Sequence, residues 1–162
     1  AHRPDAAIAE SDVIARLSDL PALLVRRRGH EVTRKGETPG PVMPEIWHSH
    51  VYFDDTSHNL AEMLVERMQA LFPADAEIIY GRWHHQPVGP HPDFSIQLAF
   101  PHAQFAAVMV WLGQNRNGLT IFTHPVTGES DDAQLRDHRD HAIWMGAVRP
   151  LKLAQFGGVD QA

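Results

Sequence analysis

Apolar and polar positions alternate over residues 47–53. Trp47, Ser49, Val51 and Phe53 fall on one side of an extended segment, and His48, His50 and Tyr52 on the other. After this run the period lengthens. Leu60, Met63, Leu64, Arg67, Met68 and Leu71 form one stripe at helical spacing, with Ser57 as the expected cap and Pro73 as the stop. Residues 78–83 read as a second strand, and 86–92 as a turn crowded with proline and glycine. Alternation then returns, with Phe94, Ile96, Leu98 and Phe100 inward and Ser95, Gln97 and Ala99 outward. Residues 105–112 form a second apolar helix that ends near 115–118, and 119–124 form a fourth strand. The order β-α-β-β-α-β predicts an α+β, ferredoxin-like sandwich, an antiparallel sheet with two helices on one face. The other face would be left open or covered by a partner. Residues 131–141 are expected to add a short polar helix, and 142–153 a closing segment with room for one more strand.

Residues 1–45 do not share this pattern. Val13, Ile14, Leu17 and Leu20 follow Ser11 at helical spacing, and a basic stretch holds Arg26, Arg27, Arg28, Arg34 and Lys35. Gly36 to Pro44 is then rich in glycine and proline. The expectation is an N-terminal extension over 1–45 (short helix, basic stretch, linker) and one domain over 46–162. The basic stretch reads as a solvated tail rather than an anion-binding arm.

Composition narrows the function classes. A chain of 162 residues with 43% hydrophobic and 21% charged residues suits one ordinary domain with a real core. A net charge of −6 argues against a nucleic-acid partner, which calls for a basic footprint. No apolar run approaches the ~20 residues of a membrane span. The first ten residues lack the apolar core of a signal peptide. Cysteine is absent, which excludes disulfides, thiolate ligands and a cysteine nucleophile. The expectation is a cytoplasmic protein with no membrane partner. Gly-rich phosphate loops, Gly-x-Ser-x-Gly and His-Glu-x-x-His are all missing from the sequence.

Twelve histidines remain as the chemistry-bearing signal. Neutral imidazole is the commonest protein metal ligand and the usual acid/base group near neutral pH. His48 and His50 share a strand face with side chains about 7 Å apart, close enough to converge on one ion. In the split βαβ topology the fourth strand runs antiparallel beside the first. The end of the fourth strand therefore brings His124 to His48. His91 precedes the third strand with the parity of Ser95 and Gln97, and would enter from the opposite end of the first strand. His84 and His85 are candidates for the mouth. His138 and His141, three apart, share a helix face and could supply an acid/base group or cap the pocket. Tyr52 reads mainly as a wall and is carried as a further candidate for catalysis. His2, His30, His58 and His102 read as solvated or structural, and Trp144, Met145 and Gly146 as packing.

Five words in order carry a resemblance: Trp47-His48-Ser49-His50-Val51-Tyr52-Phe53-Asp54, Pro87-Val88-Gly89-Pro90-His91-Pro92, Trp111-Leu112 with Asn115-Arg116 and Gly118-Leu119, His124-Pro125 with Thr127-Gly128, and Asp137-His138 with His141, Trp144 and Gly146. Over residues 46–153 the chain resembles the DOPA 4,5-dioxygenase family. The resemblance implies a ferredoxin-like fold and an iron-dependent extradiol dioxygenase that uses O2 to open the ring of DOPA or a related catechol. It matches His48, His50, His91 and His124 to the family's histidine positions, and these four are the expected metal ligands. Fe(II) is the implied cofactor, with Zn(II) or another divalent metal as a substitute in a purified sample. His91, His138, His141 and Tyr52 are the candidates for acid/base work. The common non-haem iron site holds two histidines and one carboxylate. Asp54, Asp93, Glu129 and Asp137 are candidates for that carboxylate, yet none shares the parity of the histidine trio. Two alternatives stay open: a zinc-dependent hydrolase or isomerase on the same scaffold, and a non-catalytic metal- or small-molecule-binding module dimerising through the open sheet face. A homodimer is expected, because ferredoxin-like sheets often pair.

Overall fold

The computed structural model describes residues 43–161. The expected helix, basic stretch and linker before residue 43, with His2 and His30, lie outside the described residues. Elements follow in the order β1 (Ile46–Phe53), α1 (His58–Leu71), β2 (Ile79–His84), β3 (Phe94–Pro101), α2 (Phe105–Asn115), β4 (Thr120–Val126), α3 (Asp131–Arg139) and β5 (Ile143–Met145). The strands form one antiparallel sheet in the order β2-β3-β1-β4-β5. This is the ferredoxin-like arrangement with a fifth strand added beside β4.

The alternation in β1 sorts the two faces. Trp47, Val51 and Phe53 join Ile96, Leu98 and Phe100 of β3 and Ile121 of β4 in the main core, against Ala61, Leu64, Val65 and Met68 of α1 and Val108 and Leu112 of α2. Burial of these side chains is the main stabilising term, at ~25 cal/mol per Å² of apolar surface removed from water. Ser49 would be an unpaired polar group here, but its hydroxyl lies 2.7 Å from that of Thr123, and both residues are buried. Each hydroxyl meets the other's hydrogen-bonding need.

Two local expectations are corrected. The buried stripe of α1 is Ala61, Leu64, Val65 and Met68, whereas Leu60, Met63 and Leu71 are 38%, 53% and 39% exposed. The small side chain of Ala61, fully buried, lets the helix lie close to the sheet, and this turns the apolar side by about one residue. Ser57 precedes α1 without capping it through its side chain. Its hydroxyl instead donates to Asp54 Oδ1 at 2.7 Å and accepts from the Asp54 N–H at 2.9 Å, closing the turn out of β1. The helix ends as expected: Phe72 is extended ahead of Pro73.

The second sheet face is not left bare. Tyr52, Phe122, Leu151 and Leu153 form a second buried cluster, with Leu135, Trp144 and Phe156 packed against it. The chain's own α3 and C-terminal segment therefore cover part of the face that sequence reasoning left open. Among the described residues, no helix is long and apolar enough to cross a membrane.

Candidate metal centre

The sheet register brings the histidines together. β1 pairs with β4 so that His48 faces His124, as parity predicts, and His50 faces Phe122. One ring nitrogen from each of His48, His50 and His124 lies within 4.8 Å of the others, a group that could hold a metal ion. His50 and His124 stack nearly parallel, and their Nε2 atoms are 3.4 Å apart. Two nitrogens bound to one tetrahedral ion at ~2.0–2.1 Å would be roughly 3.3 Å apart. The spacing of the pair therefore suits an ion.

Protonation fits as well, and so does the tautomer of His124. His124 Nδ1 donates to the Pro125 carbonyl at 2.8 Å. A carbonyl only accepts, so the hydrogen of the neutral ring is on Nδ1 and the Nε2 lone pair is free. Burial, then the neighbouring His138, pushes His124 down to about 2. Burial followed by the surrounding histidines holds His50 well below its ordinary value, and burial followed by His138 lowers His48. All three rings are neutral near pH 7, the form that ligates.

Two more histidines border this group. His91 packs against His50 with ring centroids 3.8 Å apart and planes tilted by 32°, and its Nδ1 is 2.6 Å from the Tyr52 hydroxyl. Its backbone is held by the N–H of His91 donating to Val88, in a turn that requires Gly89 at φ +56°. Burial, with His138 next in weight, drives His91 down to about 3. His138 lies 4.0 Å from His124 between ring centroids and donates from Nδ1 to the Gln134 carbonyl at 2.8 Å, which leaves its Nε2 lone pair free. Burial lowers its pKa, while the Gln134 carbonyl and then Asp137 pull the other way. A cleft of about 280 Å³ runs over these rings, with His84, Gln97, Gln134 and Phe156 among its walls.

Not every candidate gathers here. His141 lies beyond the end of α3, and its Nδ1 is 3.3 Å from Asp137 Oδ1, away from the cleft. His85 packs with Phe53, His58 and Phe94 at the other side of the sheet. Tyr52 is buried behind His91 rather than on the cleft wall, and desolvation, then Asp93, raises its pKa far above the usual phenol range. The four carboxylates considered for the metal have other employment or stand apart. Asp54 closes its own turn, Asp93 pairs with Arg149, Asp137 accepts from the N–H and hydroxyl of Thr127, and Glu129 is exposed. His102 accepts from Trp47 Nε1, a structural role as expected. Gln134 and Phe156 are wall residues that sequence reasoning passed over. Gln134 was accessible to it, one turn before His138 on the same helix face. Phe156 follows the last expected element and carried no periodic signal.

The sequence profile of the Dopa 4,5-dioxygenase family matches residues 47–155. A DOPA 4,5-dioxygenase of Amanita muscaria is 34% identical over 115 residues, which is 68% of this chain and 49% of the fungal protein. An uncharacterized 21.2 kDa protein of Botryotinia fuckeliana is 39% identical over 99 residues, 58% of this chain and 52% of that protein. The chain thus spans about half the length of the curated relatives it matches. A crystal structure of a candidate dioxygenase from Nostoc punctiforme superposes with a TM-score of 0.62 at 39% identity, covering 70% of this chain and 90% of that one.

Proposed function

We propose, because this chain belongs to the Dopa 4,5-dioxygenase family, that it is a metal-dependent extradiol dioxygenase acting on DOPA or a related catechol. The observation that carries the reading is the gathering of one ring nitrogen each from His48, His50 and His124 within 4.8 Å of one another along a cleft. Bound there, ferrous iron would supply the one-electron chemistry that lets O2 react with a catechol. His48, His50 and His124 would hold it. The short Nε2 to Nε2 approach of His50 and His124 calls for one hydrogen between the two atoms, and a metal ion held there would displace it as a proton.

The cleft is about 280 Å³, just below the ~300–1,000 Å³ usual for ligand sites, which suits a single aromatic ring. His138 Nε2, with its lone pair free, accepts a catechol hydroxyl proton and returns it as the ring opens. General acid/base help of this kind is worth ~10²–10⁴-fold. In the overall reaction the ring C–C bond beside the hydroxyl pair breaks and both atoms of O2 enter the semialdehyde product. One observation favours a second reading. The donor group consists of three imidazoles, a set that zinc uses with water to hydrolyse or isomerise.

Anaerobic reconstitution with Fe(II), followed by O2 and a series of catechols including DOPA, separates the two. O2 uptake with a new visible chromophore, both lost in His50→Ala, is the expected result. A protein that binds one zinc tightly, and after Fe(II) loading consumes no O2 with any catechol, contradicts the dioxygenase reading.

A further inference from the structure

We propose that Tyr52 is a positioning residue that fixes His91 with its hydrogen on Nε2, so that His91 offers the cleft a hydrogen-bond donor and stays outside the metal ligands. The inference rests on the dioxygenase reading for its kinetic consequence, but not for its geometry. The Tyr52 hydroxyl is 2.6 Å from His91 Nδ1, and among the described residues that nitrogen is its hydrogen-bond partner. The hydroxyl has one hydrogen to place. If Nδ1 carried a hydrogen too, the buried phenol O–H would have no acceptor. The satisfied arrangement has Tyr52 donating to a bare Nδ1, which puts the ring hydrogen of His91 on Nε2.

Both partners are held for this contact. The phenol ring stacks on Phe122 with planes 6° apart and leans on Trp144 at 6.0 Å. His91 is pinned by its bridge to Val88 and by its ring face on His50, and the neighbouring Pro90 carbonyl accepts from the Lys152 N–H at 2.9 Å. His124 and His138 each donate from Nδ1 to a backbone carbonyl and turn a lone pair inward. His91 alone of these three has its Nδ1 supplied with a donor, and so turns an N–H inward. An N–H in that position recognises an oxygen of the bound catechol in its anionic form.

The test uses the full chain, first without metal. Long-range ¹H–¹⁵N correlation on labelled protein should show His91 with Nε2 protonated and Nδ1 bare, and Tyr52→Phe should mix the two tautomers. Titration with Co(II) should give the same affinity for Tyr52→Phe as for the parent chain, because His91 is not a ligand. In the Fe(II)-loaded protein Tyr52→Phe should lose about 10- to 100-fold in kcat/KM for a catechol. His91→Gln, which keeps an N–H near the Nε2 position, should retain most of the activity that His91→Ala loses. A hydrogen on His91 Nδ1 in the parent chain, or weakened Co(II) binding in Tyr52→Phe, overturns the proposal even if ring cleavage is found. If no catechol is turned over, the resonance and titration results still decide it.

Discussion

His124 and His141 differ in what the backbone does with Nδ1. His124 donates from it to Pro125, so its Nε2 faces His50 as a lone pair. His141 has its Nδ1 against Asp137 with its side chain 46% exposed. His124→Ala should therefore weaken Co(II) or Zn(II) binding by more than the ~10–100-fold typical of losing an outer partner, while His141→Ala should leave it unchanged. Calorimetric titration of both variants checks this. Strand alternation made His48 and His50 legible as a pair, because a period of two leaves no choice of face. Spacing could not rank His138 against His141. A difference of three is a shared face only while the helix lasts, and α3 ends at Arg139. The tautomers were equally out of reach, since carbonyl partners such as Pro125 and Gln134 become visible only with the fold.

α1 shows what periodicity can and cannot resolve. Its existence and its stop before Pro73 follow from pattern alone, but its rotation does not. The chosen stripe ran through Leu60 and Met63, the larger side chains, while the sheet receives Ala61, Leu64, Val65 and Met68. The sheet-facing flank carries the smaller side chain, because close packing at the fully buried Ala61 calls for a small residue. Ala61→Leu should accordingly destabilise by about 1–3 kcal/mol through overpacking, and Met63→Ala by no more than about 0.5 kcal/mol. Urea unfolding of the two variants distinguishes the observed rotation from the expected one, which reverses the order. The β1–β4 register is the opposite case. The expected topology implied His48 beside His124, and the sheet has that pairing.

For the whole molecule, gathering neutral imidazoles in one cleft has a thermodynamic consequence. Above the ordinary histidine value of 6.5, folded and unfolded chains are both uncharged at His91 and His124, and neither residue makes stability depend on pH. Below 6.5 the unfolded chain takes up protons that the folded chain refuses until about 3 for His91 and about 2 for His124. Stability must fall with pH across that window. At pH 5 the loss is on the order of 2 kcal/mol for each of these two buried groups. Urea midpoints of chelator-treated protein should drop between pH 7 and pH 5. A flat profile would contradict the burial of neutral rings. The ferredoxin-like core was legible because each of its elements carries its own period. The covering of the second face was not, because Leu151, Leu153 and Phe156 belong to a segment with little regular structure.

Isotope labelling follows the oxygen atoms of O2 into the product. The Fe(II)-loaded chain would be given a catechol under ¹⁸O2 and the ring-opened product analysed by mass spectrometry. One ¹⁸O retained in the new carboxylate of the product formed by the parent chain, with a second in the aldehyde when it is trapped before exchange with water, and no such product from His50→Ala, is the predicted result. A product carrying no label from O2, or an equal yield from His50→Ala, would contradict dioxygenation at this histidine cleft.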